Sequence, residues 1–252
     1  MALAQHDLPP TLYPEAAAGG YSRIDGTVAF YSRVVALLGP DDRVLSFGAG
    51  RGRFVEDPVA LRRHLQDLRA HAGEVIGLDV DDVVLGNPTL TAAEVITIGE
   101  PLPLEDDTID VVVSDFTFEH VQDAVWAGRE LGRVLRPGGW LCARTPNKWG
   151  YIGMAARAVP NGLHDRVLSV LQPQKKTEDT FPTAYRMNTR RALERCFPSP
   201  AFTHHSYLHD AEPAYAGTST AAWRLFQALH AVTPPPLRSM HHVFVQKSPT
   251  GG

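Results

Sequence analysis

Five short apolar runs, spaced by amphipathic stretches and turn residues, constrain this chain more than any other feature. Arg43–Phe47, Glu74–Val80 (EVIGLDV), Glu94–Ile98 (EVITI), Ile109–Ser114 (IDVVVS) and Trp140–Thr145 (WLCART) each read as a buried strand. Between them, Val59–Ala70 carries Leu61, Leu65 and Leu68 on one helical face, and a second helix is expected from about Asp123 to Leu135. Strands alternating with helices make βαβ units, hence a parallel sheet with right-handed crossovers. A helix over Thr27–Leu38 precedes the first strand and is stopped by Gly39-Pro40.

After Pro146 the pattern changes. Residues from about 147 to 187 are expected to form a cap insert of short helices and a polar loop. Thr189 reads as the N-cap of RRALERCF, and His204–His209 and His242–Lys247 as the final strands, with a helix around Thr220–Ala231 between them. Residues 1 to about 20 are rich in Pro, Ala and Gly and read as loose; residues 1–26 are taken as an N-terminal arm, leaving residues 27–252 as one domain.

Composition narrows the function. A formal net charge of −4 gives no global basic field toward nucleic acid or anionic membrane, so neither is expected as a partner. Cys142 and Cys196 lie far apart without metal-ligand spacing, as in a reducing compartment. No leader pattern opens the chain and no apolar run nears the ~20 residues of a membrane span, so a soluble, cytoplasmic protein is expected.

The first strand runs into VLSFGAGRGRF (44–54), with Gly48, Gly50 and Gly52 at alternate positions. Such a loop brings backbone N–H groups close to a ligand. A phosphate loop requires GxxxxGK[ST] and a dinucleotide fingerprint GxGxxG; Arg53 occupies the decisive position in both. The remaining pattern is GxGxG followed by an acid ending the next strand, and Asp79 supplies that acid. A carboxylate there accepts hydrogen bonds from the two hydroxyls of a ribose.

Four segments together resemble the class I S-adenosylmethionine-dependent methyltransferases: VLSFGAGRG (44–52), VIGLDVDD (75–82), PLPLEDDTIDVVVSDFTFEHV (101–121) and ELGRVLRPGGWLCARTPN (130–147). The tail FPTAYRMNTRRALERCF (181–197) is similar to that of bacterial small-molecule members. The resemblance implies an α/β, Rossmann-like sheet of seven mostly parallel strands, helices on both faces, a small helical cap, and S-adenosyl-L-methionine as cofactor. By position it places Gly48, Ala49, Gly50 and Gly52 against the methionine and ribose portions, Asp79 on the ribose hydroxyls and Val80 against adenine. Gly99 and Glu100 are placed at the adenine edge, and Ser114 and Asp115 at the amino-acid end and methyl group.

The chain departs from the family at Ser46, where many relatives carry an acid; Ser46 keeps one hydrogen-bonding group and no charge. That leaves room for a methyltransferase-like binding or regulatory protein without turnover. For catalysis the resemblance points to His120 as the base for a hydroxyl acceptor, with Glu119 as the alternative. Metal-binding relatives use Glu-x-x-Glu-His here; Phe116 replaces the first Glu, so no metal is expected. His204-His205 and His241-His242 would point to opposite faces of their strands and make no zinc site. Tyr151, His164, Tyr185 and Arg186 fall in the insert that caps the substrate in this family. The resulting expectation is methyl transfer to a small molecule, most naturally at oxygen. An RNA or protein substrate is disfavoured by the net charge and by SDFTF standing where an NPPY-like tetrapeptide would be. Oligomeric state is not legible in the sequence.

Overall fold

The computed structural model describes residues 8–150, 182–213 and 219–249. Its strands are β1 (Arg43–Phe47), β2 (Glu74–Asp79), β3 (Ala92–Val95), β4 (Ile109–Asp115), β5 (Leu135–Pro146), β6 (Phe202–His204), β7 (Tyr207–His209) and β8 (Met240–Lys247). They join one sheet in the order β3-β2-β1-β4-β5-β8-β6, with β7 also on β8. The pairs from β3 to β5 are parallel, and β8 runs antiparallel to β5, β6 and β7. The helices are α1 (Gly26–Leu37), α2 (Ala60–Gln66), α3 (Ala124–Val134), α4 (Arg190–Cys196) and α5 (Thr220–Val232).

The continuous apolar runs follow from burial on both faces. Leu45, Val112, Leu141, Ala143 and Val243 face a core shared with Ala127 and Leu131 of α3 and Leu193 of α4. Their neighbours Val44, Val111, Val113, Cys142 and Phe244 face the opposite side, against Phe30 and Val34 of α1 and Leu65 of α2. Side chains alternate along a strand, so one sequence run fills two cores. Local signals set the helix starts. Asp25 caps α1 by accepting from the amides of Thr27 and Val28, Asp123 caps α3, and Thr189 caps α4 by accepting from Ala192 N at 3.1 Å.

The mostly parallel α/β sheet is as expected, with eight strands among the described residues where the sequence suggested seven. The segment read as one strand over His204–His209 is split into β6 and β7. The register stays continuous, from Phe202 opposite Lys247 to His209 opposite Met240. The break falls at His205-Ser206, where the Ser206 hydroxyl accepts from Phe244 N at 3.1 Å. β3 begins two residues earlier than expected and ends at Val95, opposite Asp79 at the end of β2.

The arm is also not loose from residue 8 onward. Leu8, Tyr13 and Ala16 are buried against Trp223 of α5, with the Tyr13 and Trp223 rings 5.5 Å apart, edge to face. Its aromatic and aliphatic residues outweigh the Pro, Ala and Gly that suggested disorder. The greater part of the expected cap, with Tyr151 and His164, lies outside the described residues.

Candidate functional site

The strand order reverses between β1 and β4, and in open α/β sheets ligands bind beyond the carboxyl ends of strands at such a point. A cleft lies there, lined by Phe47, Gly48, Leu78, Asp79, Val80, Ile96, Ile98, Thr117, His120, Val121, Gln122, Asp123 and Trp126.

The glycine loop meets it at Gly48. Gly48 has φ +73° and Gly52 φ +71°, a region that side-chain-bearing residues rarely adopt. Space forbids a side chain as well. A Cβ on Gly48 would sit 2.2 Å from the Thr117 hydroxyl, and one on Gly52 2.4 Å from Asn87 Oδ1. The loop is tied to β2 through Gly48 N, which donates to Leu78 O at 2.8 Å. Asp79, half-buried, accepts from Gly50 N at 2.8 Å on one carboxylate oxygen and from Asp81 N at 3.1 Å on the other. Each oxygen retains a lone pair for a further donor. From the opposite side Asn87 Nδ2 donates to the carbonyls of Ala49 and Gly50.

Val80, Ile96, Ile98 and Val121 give the cleft apolar walls that suit a flat heteroaromatic ring, next to the Asp79 carboxylate. Gly99 and Glu100 follow this wall and are exposed; the Glu100 carbonyl accepts from Trp126 Nε1 at 2.7 Å. Sequence reasoning passed over Ile98, Thr117, Gln122, Trp126 and Asn87. The Asn-Pro pair after the second strand was the visible signal for Asn87.

The end of β4 is built differently on its two faces. Ser114 is buried and donates to the Phe47 carbonyl at 3.0 Å, tying β4 to β1. Asp115 turns to the α1 face, where Arg144 of β5 donates to both its oxygens, from Nε at 2.8 Å and Nη2 at 2.7 Å. Tyr31 donates to Asp115 Oδ2 at 3.2 Å, and Arg144 Nη1 reaches the Thr27 hydroxyl at 3.0 Å. Burial, then the Asp115 charge, raises the Tyr31 phenol well above its ordinary range. Ser46 lies half-buried in β1 between Gly77 and Val113.

Glu119 and His120 diverge. The Glu119 side chain points inward, 5% exposed, and accepts from the Thr145 hydroxyl at 2.8 Å. Asn188 Nδ2 in turn donates to Thr145 at 2.7 Å. Burial raises the Glu119 carboxyl to about 7. Its main-chain carbonyl accepts from the amides of Ala184 and Tyr185. His120 lines the cleft, with Nδ1 3.2 Å from the carbonyl of Pro182. Tyr185, at φ +50°, is thus attached by its backbone to the β4–α3 loop, and Arg186 is exposed.

The histidine pairs occupy separate surroundings. His242 packs against Phe30 and Tyr207, and burial lowers it to about 2; burial lowers His241 to about 4. Among the described residues no group of three or more His, Cys, Asp or Glu is arranged to hold a metal ion, and no helix is long and apolar enough to cross a membrane.

A family model described as a methyltransferase domain matches residues 45–143, spanning the glycine loop through β5. A Mycolicibacterium smegmatis protein named "Probable S-adenosylmethionine-dependent methyltransferase" is 36% identical over 105 residues, 40% of each chain. The malonyl-(acyl-carrier protein) O-methyltransferase of Methylococcus capsulatus is 30% identical over 208 residues, 73% of this chain and 69% of that one. The chain spans between 31% and 52% of the length of the first three curated relatives it matches. The geranyl diphosphate C-methyltransferase of Streptomyces coelicolor A3(2), solved with Mg2+, geranyl diphosphate and S-adenosyl-L-homocysteine, superposes with a TM-score of 0.53. It shares 14% identity, covering 87% of this chain and 79% of that one, and shows the shared fold. This chain belongs to the class I S-adenosylmethionine-dependent methyltransferases.

Proposed function

We propose that the protein transfers a methyl group from S-adenosylmethionine to an oxygen of a small-molecule acceptor. The cleft residues suit the cofactor: the glycine loop leaves no room for side chains at positions 48 and 52, Asp79 keeps acceptor capacity for ribose hydroxyls, and the aliphatic wall suits adenine. Bound there, the cofactor supplies an electrophilic methyl carbon on a sulfonium.

The single observation that carries the oxygen assignment is the position of His120, on the lining of the cleft and steadied from Nδ1. A proton on Nδ1, donated to the Pro182 carbonyl, leaves the ring's lone pair on Nε2. That nitrogen takes the proton of a hydroxyl acceptor as it becomes a nucleophile. Glu119 is turned away from the cleft lining and serves the structure beneath it.

Calorimetry with S-adenosylmethionine and S-adenosylhomocysteine tests the first half; binding of neither refutes it and returns the chain to a non-catalytic role. Labelled-methyl transfer into fractionated metabolites, RNA and protein tests the second. Label confined to the metabolite fraction supports a small-molecule acceptor, and label in RNA or protein overturns it.

A further inference from the structure

We propose that Asn87 is a positioning residue for the cofactor-binding loop, clamping its carbonyl side so that its amide side faces the cleft. The inference rests on the methyltransferase reading and adds to it a residue that touches no ligand.

Asn87 is 8% exposed, and its side-chain amide is fully used. Nδ2 donates both hydrogens, to Ala49 O at 3.1 Å and Gly50 O at 3.0 Å. Oδ1 accepts twice from one residue, from Thr89 N at 2.9 Å and the Thr89 hydroxyl at 2.7 Å. This pattern fixes the amide orientation, because two carbonyls demand donors and a backbone N–H demands an acceptor.

The consequence follows from the planar trans peptide, in which C=O and N–H point in opposite directions. With the Ala49 and Gly50 carbonyls drawn toward Asn87, the next amide hydrogens turn the other way. Gly50 N shows this directly, meeting Asp79 Oδ2 at 2.8 Å. Asp79 and Asn87 therefore hold one peptide plane from its two edges. Gly52 completes the fit, since any Cβ there would strike the clamp at Oδ1. Glycine at position 52 is thus needed for the clamp as well as for its backbone angle.

The test is calorimetry with S-adenosylmethionine on the full chain, at a temperature where circular dichroism shows each variant folded. Asn87→Asp keeps the shape and the Thr89 contacts but sets a carboxylate oxygen against two carbonyls; its Kd should rise at least tenfold. Thr89→Val removes one contact to Oδ1 and spares the loop bonds; its Kd should stay within threefold of the parent. A role confined to the local turn would move both variants alike, and that result overturns the proposal. So does an Asn87→Asp Kd within twofold of the parent.

Gly52→Ala gives a second route should Asn87→Asp fold poorly. Its loss of affinity should be smaller when added to Asn87→Ala than to the parent. Equal losses refute the clamp. Failure of the parent protein to bind either S-adenosylmethionine or S-adenosylhomocysteine sinks the methyltransferase reading itself, a result distinct from any difference among variants.

Discussion

Arg144 grips Asp115 by both carboxylate oxygens across the end of the β4–β5 pair, and it does so almost out of water, with its side chain 8% exposed. The guanidinium also lies over Phe116, 4.7 Å from the ring centroid. A carboxylate expected at the methyl group is therefore charge-compensated within the protein. Arg144→Met leaves that carboxylate with only the Tyr31 hydroxyl as a side-chain partner, which costs up to about 3–5 kcal/mol. Urea denaturation should show the loss, and Asp115→Asn combined with Arg144→Met should recover most of it. A double variant as unstable as Arg144→Met alone would contradict the pairing argument.

Asp79 has two duties, holding Gly50 N and offering acceptors to a ribose. Asp79→Ala should weaken S-adenosylmethionine binding at least tenfold, since unpaired hydroxyls cost ~1–3 kcal/mol. Calorimetry reads this directly, and unchanged affinity removes the assignment.

His120→Ala separates binding from turnover. The ring lines the cleft without carrying the glycine loop, so cofactor affinity should remain within about twofold while labelled-methyl transfer falls by the 10²–10⁴ that a general base contributes. Full transfer by the variant rules out His120 as the base.

Glu119 sets a pH dependence whose sign is fixed. Its carboxyl titrates at about 7 when buried, against 4.5 ordinarily, so the folded protein holds a proton there that the unfolded chain has released. Its contribution to stability is present below about pH 4.5 and is lost as pH rises to about 7, on the order of 3 kcal/mol in all. Glu119→Gln should flatten that part of the stability curve in denaturant titrations from pH 4.5 to 8. An unchanged curve would show that the carboxyl ionises freely where it is.

The parallel core and the glycine loop were legible because their signals are local. β1, β2 and β4 announce themselves as apolar runs, and Gly48 and Gly52 sit at positive φ where the motif implied a close approach. What escaped notice was made by distant pairings. Arg144 and Asp115 are 29 positions apart, and Asn87 reaches back 38 to Ala49. Neither pairing has a periodicity to betray it. Glu119 and His120, neighbours in sequence, were weighed for one role although successive side chains diverge, here into a buried network and a ligand cleft. The arm was misjudged for a related reason, because Tyr13 acquires its partner Trp223 only 210 positions later.

The place of β8 bears on how the chain is made. It is the last of the described strands in chain order, yet it lies inside, between β5 and the β6–β7 edge. While Met240–Lys247 is still being synthesised, β5 has an open flank and β6 and β7 have nothing to pair with. At translation rates of roughly 5–20 residues per second, the nascent chain carries that exposed edge until its closing segment emerges. A chain halted just before Met240 would lack the strand that closes the sheet and, with it, Val243 and Val245 of the core.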